Sequence, residues 1–331
     1  MKPRARDVAL LAGVSPATVD RVLKGRGMVH ARTQERVWAA ARKLDYSIET
    51  IGPGVDVILP AAESPFMDQL EAALFARAFE VGMNLRVTRQ ALLDPISYGD
   101  WLIETAKRPS AKSEAVALTA PDHPAIREGV RALRTAGIPV FTVTADLPGS
   151  GHSGYVGMEN RGVGRLAGQL MNRLLPRRAG SVGVVIGSPF YRNHNEREAG
   201  FRSYSSEQAS HLSVLPHLIS AACPKQAATA LRECLKQAPE LVGLYNVGGA
   251  TAAIANTLQE MGRHESVVFI AHDLTEELRR CLIHGSLDVV IDQSAEATAI
   301  AVVEALSAAR SGRATTPRPL VPQVIFSENL P

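Results

Sequence analysis

The sequence predicts a two-part molecule: an N-terminal all-α module of three short helices in helix-turn-helix order, followed by a two-lobed α/β unit built on parallel sheets. Three observations carry that reading. Residues 5–46 set small apolar residues at helical spacing on both sides of the turn Gly13-Val14-Ser15-Pro16. From Val55 onward, short apolar runs alternate with amphipathic stretches of helical length. The charge is also uneven, with ten Lys/Arg against five Asp/Glu in residues 1–50, leaving 26 against 28 for the rest of the 331-residue chain. A small module that meets phosphates, joined to a larger one that does not, has this distribution.

In the first element, Val8, Leu11 and Ala12 form an apolar stripe and Gly13 supplies a left-handed end. Ser15 followed by Pro16 reads as an N-cap with proline at the first helical position. Val19, Val22 and Leu23 form the buried stripe of the second helix, which turns Pro16, Ala17, Thr18, Asp20 and Arg21 outward. A third helix, capped by Thr33, carries Val37, Ala40, Ala41 and Leu44 on one face and completes the core. This is the geometry of a helix-turn-helix reader of double-stranded DNA. Arg21 is the base reader, since a guanidinium bonds guanine bidentately, and Thr18 and Ala17 reach a base edge or a thymine methyl. Ser15 and Pro16 share that outer face. Lys24, Arg26, Arg32 and Arg36 read as phosphate contacts, which position without specifying. Asp20 is repelled by phosphate, and accepts from a cytosine amino group or orients Arg21.

The run resembles the N-terminus of the LacI/GalR family of bacterial transcription regulators, roughly D-V-A-x-x-A-G-V-S-x-x-T-V-S-R-V-L-N-G followed by a T-x-x-R-V helix ending L-G-Y. The match extends from Asp7 to Tyr46 and departs at Asp20, Lys24 and Asp45. Between Ser47 and Gly54 the breakers Gly52, Pro53 and Gly54 mark a linker. Fully extended it spans about 28 Å at most. The family's N-x-x-A-R-x-L hinge helix, whose leucine wedges into the minor groove, has no counterpart there.

The larger unit reads as strands at Val55–Leu59, Leu85–Thr88, Ala115–Leu118, Val140–Val143, Val182–Ile186, Leu212–Leu215, Val242–Tyr245, Val267–Ala271 and Val289–Ile291. Helices are expected over Met67–Val81, Tyr98–Lys107, Pro124–Ala136, Glu196–Glu207, Lys225–Gln237, Ala250–Met261 and Glu276–Ile283. That is more strands than one doubly wound sheet uses, so two lobes follow. The succession resembles the periplasmic-binding-protein-like (type 1) effector domain of the same regulators, close to the ribose-binding type. The resemblance rests on Ser64-Pro-Phe-Met67, Ile138-Pro-Val-Phe-Thr142, Val156-Gly-Met-Glu-Asn160, Glu196-Arg-Glu-Ala-Gly-Phe201, Asn246, Phe269-Ile-Ala-His-Asp273 and Ile291-Asp-Gln293. It implies a head over 1–50 with a linker to 54 and an effector domain over 55–331. Within that domain it implies an N-lobe of about 55–154 and 294–320, and a C-lobe of about 155–293 and 321–331.

The candidate ligand residues lie near the C-terminal ends of predicted strands, where open α/β sheets collect ligands. The resemblance assigns Arg197, Asp273, Asn246 and Gln293 to the polar grip of a small sugar or polyol, with Asp146 and Asn160 near the first crossover. Phe66 supplies an apolar face for stacking. Plainer roles stand beside these: Phe66 as core, Arg197 paired with Glu196 or Glu198 on an exposed helix, Asp273 as a helix cap. The pair Gly248-Gly249 departs from the family's usual N-D.

Cys223, Cys234 and Cys281 are odd in number and far apart, which supports neither a disulfide framework nor a zinc ribbon. His194, flanked by Asn193 and Asn195, has no second ligand at metal spacing and reads as a polar loop residue. No nucleophile elbow, phosphate loop or H-E-x-x-H motif is present, and Gly162-Val-Gly164 lacks the third glycine of a dinucleotide fingerprint. Neither cofactor nor catalysis is expected. Lys2, Arg4 and Arg6 before Val8–Val14 imitate a signal peptide, but Asp7 opens that run and its periodicity continues beyond Ser15. No apolar run is long enough to span a membrane. The sequence therefore reads as a cytoplasmic, ligand-responsive regulator binding a palindromic operator as a homodimer. A free-standing solute-binding protein or an α/β sugar enzyme are the alternatives.

Overall fold

The computed structural model describes residues 4–23, 33, 36–37, 40–41, 44, 54–61, 64–90, 94–107, 113–176, 178–220 and 223–331. Lys24, Arg26, Arg32 and the linker from Ser47 to Pro53 lie outside the described residues.

In the head, α1 (Ala5–Ala12) ends at Gly13, whose φ of 61° is the left-handed conformation glycine adopts most readily. Ser15 then caps α2 (Pro16–Leu23) by accepting from Thr18 N–H through Oγ at 3.1 Å. Val8, Ala9, Ala12, Val19, Val22, Val37, Ala40 and Ala41 form one apolar cluster, so the described part of the third helix closes the core as expected. The stripe on α1 is turned slightly from the sequence expectation: Ala9 is buried while Leu11 is 45% exposed. Thr33 is itself helical.

Two sheets follow. The first holds β1 (Gly54–Pro60), β2 (Leu85–Gln90), β3 (Ser113–Leu118), β4 (Val140–Val143) and β5 (Gly154–Val156) in the order β2-β1-β3-β4-β5, all parallel. The second holds β6 (Gly180–Ile186), β7 (Leu212–Val214), β9 (Leu241–Asn246), β10 (Val268–His272), β11 (Val289–Asp292) and β12 (Gln323–Ile325). Its order is β12-β11-β10-β9-β6-β7, with the two-residue β8 (Leu218–Ile219) also beside β6. Only β12 runs antiparallel, against β11. Each sheet buries both faces, which is why the strands read as continuous apolar runs. Along β1, Val55, Val57 and Leu59 enter one cluster with α3 (Pro65–Glu80) and α11 (Ala295–Arg310). Ile58 enters another with α4 (Pro95–Lys107) and α5 (Pro124–Thr135). On the second sheet, Val182, Val184 and Ile186 face α6 (Asn160–Leu174), while Val185 faces α8 (Pro224–Gln237) and α9 (Thr251–Glu260). Helix α10 (Glu276–Ile283), capped by Thr275, connects β10 to β11.

Helices α6 and α11 have no counterpart in the sequence reading. Gly162, Gly164 and Gly168 hide α6, because glycine disfavours a helix interior by about 1 kcal/mol. Their reason is packing: an added methyl at Gly164 overlaps Arg197 O, one at Gly200 overlaps Arg161 O, and one at Gly168 lies 3.0 Å from the Tyr204 ring. These glycines let α6 lie directly on α7 (Arg192–Gln208). Helix α7 begins four residues earlier than expected, so His194 stands on its first turn and not in a loop.

Candidate functional site

Around the C-terminal ends of β6, β9, β10 and β11, the second lobe gathers Arg197, Asn246, Asp273 and Gln293. Arg197 is 1% exposed. Its Nε donates to Asn160 Oδ1 at 2.9 Å and Nη1 donates to Val247 O at 2.9 Å, while Nη2 has no hydrogen-bond partner among the described residues. Leaving such a group unsatisfied costs on the order of 1–3 kcal/mol, more when it is charged. The surface ion pair with Glu196 or Glu198 is not formed: Glu196 pairs with Arg192 and Glu198 with Arg202.

Opposite in chemistry stand Asp273 and Gln293. Gln293 Nε2 donates to Asp273 Oδ1 at 2.8 Å, and the buried Gln293 Oε1 has no partner among the described residues. Asp273 adopts φ 66°, a conformation seldom taken by residues other than glycine, asparagine and aspartate. Burial pushes its carboxyl up to about 6, with Arg197 opposing that rise and Asp292 adding to it. Capping of the following helix falls to Thr275, whose Oγ1 accepts from Leu278 N.

The remaining expected ligand residues are differently employed. Asn160 is 3% exposed and fully engaged, accepting from Arg197 and donating through Nδ2 to Tyr155 Oη at 3.0 Å. It positions the arginine. Asn246 spends its amide on its own loop, donating to Gly249 O and Thr251 Oγ1 at 2.9 Å each and accepting from Gly248 N at 3.4 Å. Asp146 accepts from Thr142 Oγ1 at 3.0 Å and Leu147 N at 2.8 Å and lies 2.9 Å from His152 Nε2. Burial raises its carboxyl, but His152 and Thr142 outweigh that and hold it below the usual range. Phe66, 5% exposed, packs in the first lobe's apolar cluster with Leu70 and Leu74.

The sequence reading missed Tyr155, Tyr245 and His272. Tyr155 Oη lies 2.9 Å from Thr144 O, to which it donates, and 3.1 Å from Met158 O. Thr144 itself has φ 60°. Tyr245 stacks on Phe201 with centroids 4.8 Å apart and meets His272 Nε2 through its hydroxyl at 2.8 Å. The available signal was a polar residue within the last two positions of an otherwise apolar parallel strand, as Tyr245 is in β9 and His272 in β10. Burial, with Arg197 and His194 nearby, holds His272 neutral.

The lobes touch at Asp122 N, which donates to Phe190 O at 2.9 Å. Beside that contact a cavity of about 410 Å³ is lined by Asp122 of the first lobe and by Arg161, Phe190, Arg192 and Glu196 of the second. None of the expected ligand residues lines it.

On the head, Ser15, Pro16, Ala17, Asp20 and Arg21 are exposed and Thr18 is half-buried, its hydroxyl 2.9 Å from Ser15 Oγ. Arg36 Nη2 donates to Ala12 O at 2.6 Å and Gly13 O at 3.3 Å, so this guanidinium closes the end of α1. Among the described residues no helix is long and apolar enough to cross a membrane, and no group of three His, Cys, Asp or Glu could hold a metal.

Residues 55–314 match the profile described as periplasmic binding protein domain, and residues 5–48 that of bacterial regulatory proteins, lacI family. The sucrose operon repressor of Pediococcus pentosaceus is 37% identical over 93 residues, 24% of this chain and 28% of that protein. The ribose operon repressor of Bacillus subtilis (strain 168) is 40% identical over 73 residues, 20% of this chain and 22% of that protein. The chain thus matches about a quarter of the length of these relatives. Among solved structures, a glucose-galactose binding protein from Geobacillus stearothermophilus has a TM-score of 0.76 at 20% identity, covering 85% of this chain and 99% of its own. A solute-binding protein from Burkholderia graminis in complex with D-arabinose has 0.77 at 18%, covering 83% and 96%. A LacI transcriptional regulator from Bacteroides fragilis has 0.73 at 17%, covering 83% and 97%. At these identities the likeness is one of fold.

Proposed function

Since the chain belongs to the periplasmic binding protein domain family and carries a lacI-family head, we propose that it is a transcriptional repressor that senses a small sugar or polyol. The carrying observation is the coexistence of an outward Arg21 on a capped recognition helix with a strand-end cluster whose buried Arg197 Nη2 and Gln293 Oε1 have no partner among the described residues. One donates and the other accepts, and both are buried at the ends of the second sheet's strands, which is what a hydroxyl-bearing molecule enclosed there complements. Two copies binding a palindromic operator through heads over 1–50 would supply the contacts that one small head lacks. Residues 55–331 form the sensor, the protein works in the cytoplasm where the operator is, and it catalyses no reaction.

Effector binding reaches the lobes through a line of hydrogen bonds. Arg197 donates to Asn160, Asn160 donates to the Tyr155 hydroxyl, and that hydroxyl donates to Thr144 O at the end of β4 in the first sheet. An acceptor bound at Nη2 thus pulls on a chain that crosses between lobes, and a change in lobe angle resets the spacing of the two heads. The test is a gel shift on the DNA upstream of the gene, with and without sugars that raise the thermal midpoint. A specific complex that the stabilising sugar releases is expected; absence of any sequence-specific complex refutes the reading.

A further inference from the structure

His194 is left without a role by this scheme, yet it is held with unusual care. It stands on the first turn of α7, three residues before Arg197, between the loops that leave β6 and β9. A methyl group at Gly187 would lie 2.8 Å from Gly248 O and 2.9 Å from His194 Cε1, and one at Gly248 would lie 2.9 Å from Nε2. Neither glycine has a positive φ, so space and not backbone conformation demands them. The β9 loop is also pinned in place: Arg197 Nη1 donates to Val247 O, and Asn246 Oδ1 accepts from Gly248 N. The arginine that offers its free Nη2 therefore fixes the glycine that makes room for the imidazole.

The ring is anchored at one end only. Nδ1 accepts from Ser188 N–H at 3.2 Å and lies 3.1 Å from Ser188 O, while Nε2 has no partner among the described residues and the side chain is half-buried. Burial and Arg197 hold the group down to about 4, so it is neutral at physiological pH. A neutral imidazole adapts: Nε2 donates when Nδ1 accepts from Ser188 N–H, and accepts when Nδ1 donates to Ser188 O. Arg197 only donates, and an ionised Asp273 only accepts.

We propose that His194 is a ligand-selecting residue of the cleft, lodged between Gly187 and Gly248 beside Arg197 so that its Nε2 meets one hydroxyl of the effector. The proposal rests on the reading of this cleft as the effector site. It implies an uncharged polyol at that position, since a carboxylate or phosphate would favour the protonated imidazole that the site resists.

The test combines thermal-shift titration with chemical footprinting of the full chain. D-ribose, D-arabinose, D-xylose, D-galactose and D-allose are titrated into the wild type, His194→Ala, His194→Gln and Gly248→Ala. For the sugar that stabilises the wild type, His194→Ala and Gly248→Ala are expected to raise the midpoint concentration about tenfold or more, and His194→Gln to recover part of the loss. A midpoint for His194→Ala within about twofold of wild type overturns the proposal. Diethyl pyrocarbonate footprinting of the unliganded protein decides it independently of the sugar: His194 is expected to react, as the exposed His217 does, while buried His272 does not. An unreactive His194 overturns the proposal. If no sugar stabilises the wild type, the sugar-sensing reading fails and the footprint still judges His194.

Discussion

Gly164→Ala places one methyl group at the closest approach of α6 and α7, where it overlaps the backbone carbonyl of Arg197. Backbone cannot rotate away as a side chain would, so the helices must separate by about 1 Å or more to restore ordinary contact near 3.5 Å. Overpacking of this kind costs about 1–3 kcal/mol, and a clash with backbone belongs at the upper end. Alanine returns about 1 kcal/mol of helix propensity, leaving a net loss of about 2 kcal/mol, or roughly 4–8 °C in thermal midpoint for a unit of this size. The same displacement breaks the 2.9 Å bond from Arg197 Nε to Asn160 Oδ1, so sugar-induced stabilisation falls with it. Gly162→Ala is the internal control: a methyl there meets the Glu159 carboxylate, which caps α6 by accepting from Arg161 N and Gly162 N, so the loss is limited to a cap of about 1 kcal/mol against a similar gain in helix propensity, with no backbone clash. Calorimetry of both variants, with and without sugar, reads the result. A Gly164→Ala protein as stable as the wild type would refute the close packing of α6 on α7 and with it the positioning of Arg197.

A carboxyl at about 6 in the folded protein and near 3.9 unfolded binds protons more tightly when folded, so Asp273 lowers stability as pH rises from about 4 to 6, by up to about 3 kcal/mol. Asp273→Asn is expected to remove that decline in a pH series of thermal midpoints. His194 acts with the opposite sign in part of the same window, losing stability as pH falls from 6.5 towards 4, which is why the single variants are compared. For the head, Arg21→Ala is expected to lose about 1–3 kcal/mol of operator preference while Lys24→Ala weakens specific and random DNA alike, measured by competition gel shift. Phe66→Ala is expected to destabilise by about 3–5 kcal/mol, as a core residue does, on thermal denaturation. A normal midpoint with lost sugar response would restore its stacking role.

Much of this architecture was legible because it depends on local pattern. The turn at Gly13, the cap at Ser15 and nine of the strands follow from φ preferences, side-chain hydrogen bonds to the next turn, and burial on both faces of a parallel sheet; β5, β8 and β12, of two or three residues each, are too short to show an apolar run. The residue type at Arg197 was legible too, through the motif that carries it. Its surroundings were not. Asn160 stands 37 positions away and Val247 50, and only the packed fold decides that these two take the arginine's Nε and Nη1 and leave Nη2 free. The fold likewise turns Asn246 into a brace for its own loop, ties Asp146 to Thr142 and His152, and sinks Phe66 into the core. The glycines of α6 read as helix breakers in one dimension and as contact surface in three. The sequence by itself determined most of the elements, the basic head and the families of side chain at the strand ends; the tertiary structure decided which of their polar atoms remain unsatisfied, because hydrogen-bond capacity is exhausted by neighbours in space and not by neighbours along the chain.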